Sequence, residues 1–279
     1  MNLRLKVMGL ATVLGLARKG FFIPYRYAHA LPRPSARAPY ALLGDMLHTH
    51  EGDFRTLLDG MDSFIGDLKK IGRDTPPEPR WDQDWFPRLD AAAAYTLVRA
   101  GRPKHIVEVG SGHSTRFLAR AMRDGGIDGR ITAIDPRPRS SLHGIPDLEL
   151  LRAPVQEIGL QVFKDLKPGD MLFIDSSHVL MPGSDVDLLI NRALPGLPSG
   201  VLVHFHDIFL PDDYPHHWAW RGYNEQLAVA ALLTSKSYAP VFASHFVVSR
   251  MREVLSRSAV SRILRPTGAI ESSLWLRKI

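Results

Sequence analysis

The stretch Ile106-Val107-Glu108-Val109-Gly110-Ser111-Gly112-His113-Ser114-Thr115 constrains the fold of this 279-residue chain more than any other. A short apolar, β-branched run carries an acid near its end. Two glycines follow one residue apart, and Ser114-Thr115 opens the helix-like segment Arg116-Phe117-Leu118-Ala119-Arg120-Ala121-Met122. The order reads as strand, tight turn and helix N-terminus, which α/β folds use to bring backbone N–H groups close to a nucleotide. Two glycines can also do no more than satisfy a turn that needs positive φ. Thr115 stands where the dinucleotide fingerprint has its third glycine, which counts against NAD or FAD.

The flanking sequence repeats the alternation. Strands are expected at His105–Val109, Arg130–Ile134, Leu148–Leu151, Met171–Ile174 and Val201–Phe205, and helices near Ser114–Arg123, Val155–Asp165, Asp185–Ala193 and Asn224–Ser235. Such alternation builds a parallel sheet. Tyr238–Ser249 and Ser272–Arg277 are strand-like, with the basic segment 250–266 between them. Upstream, apolar spacing predicts helices between Ala41 and Ile71 and from Leu89 to Ala100. Prolines make 21–40 a non-helical connector, and 73–88 is a proline-rich loop holding Trp81, Trp85 and Phe86, either an acceptor wall or a core anchor. The expected division is an N-terminal helical and proline-rich extension, residues 1–88, followed by one α/β domain, residues 89–279.

Cysteine is absent, which excludes disulfides, thiolate metal sites and cysteine nucleophiles. The net charge of +6 gathers at the two ends rather than along a groove, which argues against nucleic acid as a partner. Arg4 and Lys6 precede the eleven-residue run Val7–Ala17, and Arg18-Lys19 close it. That run is too short to span a bilayer. It reads either as a helix packed on the body, the reading we favour, or as a peripheral contact with a membrane interface. The expected location is the cytoplasm, peripheral to the membrane in the second case.

At the strand ends the chain becomes polar. A carboxylate at Glu108 would repel a pyrophosphate and attract a ligand carrying an ammonium and a sulfonium, the character of S-adenosylmethionine (SAM). The second strand ends at Asp135, the fourth runs Phe173-Ile174-Asp175-Ser176-Ser177-His178, and the fifth ends His204-Phe205-His206-Asp207. Strand alternation puts His204 and His206 on one sheet face. With Glu108–Thr115, these motifs resemble the class I SAM-dependent methyltransferases over residues 90–279, and the metal-dependent, catechol-type small-molecule O-methyltransferases among them.

The resemblance implies a Rossmann-like, seven-stranded, mostly parallel sheet with a terminal antiparallel strand. It implies a SAM site made of Glu108, Gly110, Ser111, Gly112, Ser114, Asp135, Val155, Gln156 and Asp175, with Asp135 on the ribose and Val155 and Gln156 beside adenine. It implies a divalent ion such as Mg²⁺ at Asp175, His206 and Asp207, although the family's Asp-Asn pair is His206-Asp207 here. Asp175 and His178 are the expected catalytic pair. His178 stands at the offset where the catechol-type enzymes place a lysine, and an ordinary imidazole pKa near ~6.5 would let it take an acceptor proton at neutral pH. Its alternatives are a fourth metal ligand and a bystander. The expected activity is O-methylation of a small-molecule or sugar hydroxyl; the alternative is a non-catalytic module of the same fold, associated with a membrane or partner. His48, His50, Glu51 and Asp53 read as a solvated helix junction, Asp212 and Asp213 as solvated loop acids, and Glu225 as a first-turn acid or an acceptor contact.

Overall fold

Between His105 and Phe205 the chain alternates short β-branched runs with helices, and each run becomes a strand of one sheet. The computed structural model describes residues 3–72 and 74–279; Met1, Asn2 and Arg73, at the edges of two expected segments, lie outside the described residues. The chain divides into two compact units, Met1–Ala38 with Asp213–Gly222, and Pro39–Asp212 with Tyr223–Ile279. The expected boundary at residue 88 falls inside the larger unit.

The smaller unit contains helix α1 (Leu3–Val13), in which no residue is buried. The helix was expected to pack, and no buried side chain supports that. Arg37 Nη1 lies 2.7 Å from Asp213 Oδ2 and ties the unit's two pieces together.

The larger unit begins with α2 (Ala41–Thr49), α3 (Glu51–Ser63) and α4 (Ile65–Leu68), whose apolar faces bury Leu47, Phe54, Leu58, Met61 and Leu68. Helix α5 (Arg88–Gly101) is buried from Leu89 to Val98. Then follow β1 (His105–Val109), α6 (His113–Asp124), β2 (Arg130–Ile134), β3 (Leu148–Leu151), α7 (Val155–Ile158), α8 (Gln161–Lys164), β4 (Met171–Ile174), α9 (Asp185–Leu188), β5 (Leu202–Phe205) and α10 (Glu225–Thr234). The chain closes with β6 (Tyr238–Ala243), α11 (Ser244–Arg250), α12 (Arg252–Arg257) and β7 (Leu274–Lys278). The strand order is β3-β2-β1-β4-β5-β7-β6. All neighbours are parallel except β7, which runs antiparallel to both β5 and β6, so the antiparallel strand lies inside the edge.

Three expectations change. The helix foreseen at Val155–Asp165 is two short ones, broken where Gly159 takes φ 81°. The helix foreseen at Asp185–Ala193 passes from α into a π turn at Leu189. The strand foreseen at Tyr238–Ser249 stops at Ala243, and Ser244–Arg250 is helical despite its β-branched valines. The helix places Phe246 edge-on to both Phe54 and His48, so packing overrides local propensity.

Register positions the site. Val109 pairs with both Ile134 and Ile174, and Ile174 with Phe205. The next residues, Gly110, Asp135, Asp175 and His206, therefore emerge side by side at the carboxyl end of the sheet. There the strand order reverses between β1 and β4, the place where open α/β sheets bind ligands.

Candidate active site

The turn after β1 is built around Gly110, whose φ is 81°. A Cβ there would stand 2.0 Å from the Asp175 carbonyl oxygen, so the close approach of the β1 and β4 ends permits only glycine. Ser111 N–H donates to Asp135 Oδ2 at 2.7 Å, and Arg137 N–H donates to Asp135 Oδ1 at 2.7 Å. Ser111 Oγ also donates to Oδ2 at 3.3 Å, so the carboxylate is fixed and Oδ1 keeps lone-pair capacity for a ligand. Gly110, Ser111, Asp135, Val155, Gln156 and Asp175 all line one open cleft of about 450 Å³. That is the size of a small-ligand site, and the donor and acceptor pattern suits a nucleoside.

Glu108, Gly112 and Ser114 do not line the cleft. Glu108 is fully buried; Ser114 Oγ donates to its Oε1 and Thr115 Oγ1 to its Oε2, each at 2.6 Å. Burial pushes its pKa up to about 8, against the two hydroxyl bonds that favour the charged form, and with help from the charges of Asp175 and Asp135. Glu108 thus clamps the first turn of α6 to β1, and at neutral pH it is largely uncharged. It is a positioning residue, and the expected discrimination against a pyrophosphate cannot come from its charge. Thr115 completes the clamp by accepting from Gly112 N–H at 2.9 Å.

Beside the cleft, the ends of β4 and β5 gather Asp175, His178, His206 and Asp207. His178 Nε2 lies 3.3 Å from Asp175 Oδ1 and 3.6 Å from Asp207 Oδ2; His206 Nδ1 lies 3.6 Å from an oxygen of each acid. The left-handed backbone of His178 (φ 60°) and Asp207 (φ 54°) turns both side chains into the group. Asp175 alone reaches solvent, with its side chain 39% exposed against 5% for His178 and 8% for His206.

Burial works against charge on both imidazoles, yet the ion pairs prevail. Burial would lower the pKa of His178, but hydrogen bonds to Asp175 and Glu225 and the charges of Glu225 and Asp207 raise it well above 6.5. His206 is likewise raised, against burial, by Asp207, Asp175 and Asp90. Asp175, the most exposed member, is held well below the carboxylate range by the charges of His206 and His178 and their hydrogen bonds. His178 is therefore an imidazolium at neutral pH. The expectation of a neutral base with an ordinary pKa fails, because three carboxylates surround the ring.

His204 behaves oppositely. It stacks on Phe173 at 3.7 Å, and burial with the neighbouring His206 charge pushes its pKa well below 6.5. Its ring lies 6.1 Å from that of His206 at 28°, in keeping with their shared sheet face.

By chemistry, two carboxylates and two imidazoles without sulfur suit a divalent ion. In their present arrangement the side chains close on one another as ion pairs. Among the described residues, no group of three or more His, Asp or Glu is arranged to hold a metal.

Sequence reasoning missed the supports behind this cluster. Asp90, in the first turn of α5, accepts from Ser272 N–H and Ser273 N–H at 3.0 Å each and lies 3.7 Å from His206 Nε2. Ser272 Oγ in turn donates to Asp207 Oδ1 at 3.2 Å. Nothing in the sequence near Asp90 marks it, since its partners lie more than 110 residues away. Glu225, left open between two roles, stands 2.9 Å from His178 Nδ1 and also accepts from Ser176 Oγ.

Other candidates resolve more simply. Trp81 and Phe86 anchor the 73–88 loop in the core, each against Phe117, whereas Trp85 is exposed under the Arg139 guanidinium at 4.1 Å. His48–Glu51 and His50–Asp53 are local pairs at 2.8 and 2.9 Å, the solvated junction expected. Asp212 is not a free loop acid: Arg250 grips both its oxygens, and His245 lies at 2.7 Å.

A family model described as a methyltransferase domain matches residues 107–208. Compared with the curated proteins, the chain finds no match. Among solved structures it is similar to apo CmcI, at 14% identity and TM-score 0.46 over 77% of this chain and 84% of that one. It is also similar to the SAH-bound methyltransferase PaMTH1 of Podospora anserina, at 15% identity and TM-score 0.41 over 93% and 99%. A third is the O-methyltransferase TomG of Streptomyces achromogenes with SAM, at 17% identity and TM-score 0.41 over 68% and 79%. Likenesses this distant decide nothing about chemistry. The matched segment runs from β1 to just past the His206-Asp207 ending of β5, and over it the chain matches a methyltransferase domain.

Proposed function

We propose that this chain transfers the methyl group of SAM to an oxygen of a small-molecule or sugar hydroxyl. The observation that carries the proposal is the double membership of Asp175. It lines the cleft bounded by Asp135, and it also pairs with His178 and His206. A methyl donor seated in the cleft and an acceptor hydroxyl at the cluster would meet at this residue.

Each group then has a task. Asp135 accepts the ribose hydroxyls, and Val155 and Gln156 flank the adenine. SAM supplies an electrophilic methyl, and the chain supplies mainly alignment of acceptor oxygen, methyl and sulfur. Glu225 on Nδ1 selects the His178 tautomer whose Nε2 faces Asp175 and Asp207, so the uncharged ring presents its lone pair where an acceptor proton would be released. A divalent ion held by Asp175, His206 and Asp207 would lower the acceptor hydroxyl's pKa. The same ion would displace protons from the imidazoles, because metal ligands must be deprotonated.

Isothermal titration with SAM tests the cofactor: a saturable isotherm is expected, and no heat at millimolar SAM overturns it. Transfer of labelled methyl to a panel of phenols, sugars and amines tests oxygen as the acceptor atom. Exhaustive EDTA treatment is expected to reduce turnover and leave SAM binding in place; undiminished turnover removes the ion from the proposal.

A further inference from the structure

The smaller unit differs from the rest of the chain in charge and in burial. It holds eight Lys and Arg residues (Arg4, Lys6, Arg18, Lys19, Arg26, Arg33, Arg37 and Arg221) against one acid, Asp213. Subtracting these from the chain's 35 basic and 29 acidic residues leaves 27 and 28 elsewhere. The whole positive excess of the protein therefore lies in this unit, and the larger one is close to neutral. No acid occurs before Asp45.

The same unit displays apolar side chains where soluble domains hide them. No described residue of it is buried. Leu3, Val7, Leu10 and Leu14 recur at helical spacing and are 58–74% exposed. Beyond the helix, Phe21, Phe22 and Ile23 are 62–66% exposed, and Trp220 is 57% exposed. A segment with no fully buried residue has little apolar gain to offset the entropy of ordering it. An outside surface must supply that gain.

We infer that this unit docks on an anionic lipid bilayer. Leu, Phe and Trp side chains entering the headgroup boundary, with Arg and Lys at the lipid phosphates, match the composition of interfacial anchors. Nucleic acid would satisfy the cations but offers no environment for the aliphatic residues. Spanning is excluded for α1, because 11 residues make a helix of roughly 16 Å against a hydrocarbon core of about 30 Å. Among the described residues no helix is long and apolar enough to cross a membrane. The helix lies in the interface plane.

The test uses the full chain in flotation with vesicles of neutral lipid alone, and with vesicles in which about a third of the lipid is anionic. The bound fraction is expected to be roughly tenfold or more higher on the anionic vesicles and to fall as salt is raised towards about 1 M, where screening is short-ranged. Two variants separate the contributions. Val7→Glu with Leu10→Glu and Leu14→Glu is expected to abolish flotation, and Arg18→Glu with Lys19→Glu to remove the anionic preference. Both should keep the wild-type melting curve and SAM isotherm. Failure to float with either vesicle overturns the inference, as does equal binding to both. Duplex or single-stranded DNA competing the protein off vesicles, with the triple apolar variant still bound, reassigns the unit to a polyanion and overturns the lipid assignment.

Discussion

Gly110 shows how much chemistry one missing carbon can carry. Its φ of 81° and the 2.0 Å gap from a built Cβ to the Asp175 carbonyl oxygen leave no room for alanine. Gly110→Ala must push β1 and β4 apart at their carboxyl ends, which is where the cleft begins. We expect a loss of about 2–4 kcal/mol of stability, in the range of backbone strain plus overpacking, together with loss of measurable SAM binding. Thermal melts and titration calorimetry check both. Glu108, one strand position away from Val109's neighbour turn, carries a pH signature instead. Its folded pKa of about 8 exceeds the ordinary 4.5, so its contribution to stability is present below pH 4.5 and is lost as pH rises through 8. Glu108→Gln cannot ionise. The variant should gain stability relative to wild type as pH rises from 5 to 8, by on the order of a few kcal/mol, and the difference should close in acid. Denaturant melts at pH 4.5, 6 and 8 measure it; a difference independent of pH would refute the burial of an ionisable Glu108.

His178 makes the kinetic counterpart. Its pKa is raised well above 6.5, so the uncharged ring needed to take a proton grows only as pH rises. The rate is expected to climb with pH to a half-point above 6.5 in wild type, and His178→Gln should lose both the climb and most of the rate. A pH–rate profile with a fixed acceptor decides it. The sequence shows His178 in line after Asp175, because strand ends and motif spacing are local properties. It could not show the three acids around the ring. Two of them, Asp207 and Glu225, are 29 and 47 residues farther along and reach it only through the fold.

At the scale of elements, the strands between His105 and Phe205 were legible because parallel strands buried on both faces read as uninterrupted apolar runs. The segment after Ala243 was not, since valines at 247 and 248 favour a strand, whereas the helix observed there packs Phe246 against Phe54 and His48. The joint between α5 and the approach to β7 was equally hidden. Arg88 meets Glu271 through two bonds of 2.9 Å, and Leu89 N–H donates to the same carboxylate at 2.8 Å, with the Glu271 side chain fully buried. Arg265 reaches it only at 3.7 Å. Arg88→Met leaves that carboxylate without its close partner and is expected to cost about 3–5 kcal/mol. Adding Glu271→Gln should recover part of the loss, because the uncompensated charge goes with it. A double-mutant cycle in denaturant tests this, and equal losses in the single and double variants would show that packing, not charge, dominates the joint. Since Asp90 holds Ser272 and Ser273 two residues along, loosening this joint should also lower methyl transfer more than SAM binding.

For the whole molecule, charge and burial divide along the same line. Every buried residue among those described belongs to Pro39–Asp212 or Tyr223–Ile279. Composition alone, averaged over 279 residues, shows an ordinary protein with a modest net charge of +6 and conceals this division. Removing residues 1–38 takes away seven of the 35 basic residues and none of the 29 acids, so the formal charge changes from +6 to −1. Among the described residues, no fully buried side chain leaves with them. The shortened protein is therefore expected to keep its melting temperature within about 3 °C, as substitutions that bury nothing usually do. It should keep its SAM isotherm, and it should pass unretained through a cation exchanger that holds the full chain at pH 7 and low salt. The three readouts fail separately. A large fall in melting temperature would mean that the segment contributes to the fold despite its exposure. Weakened SAM binding at an unchanged melting temperature would instead make it part of the cofactor site. Retention on the exchanger would show that the larger unit carries a basic surface of its own, in spite of its balanced count.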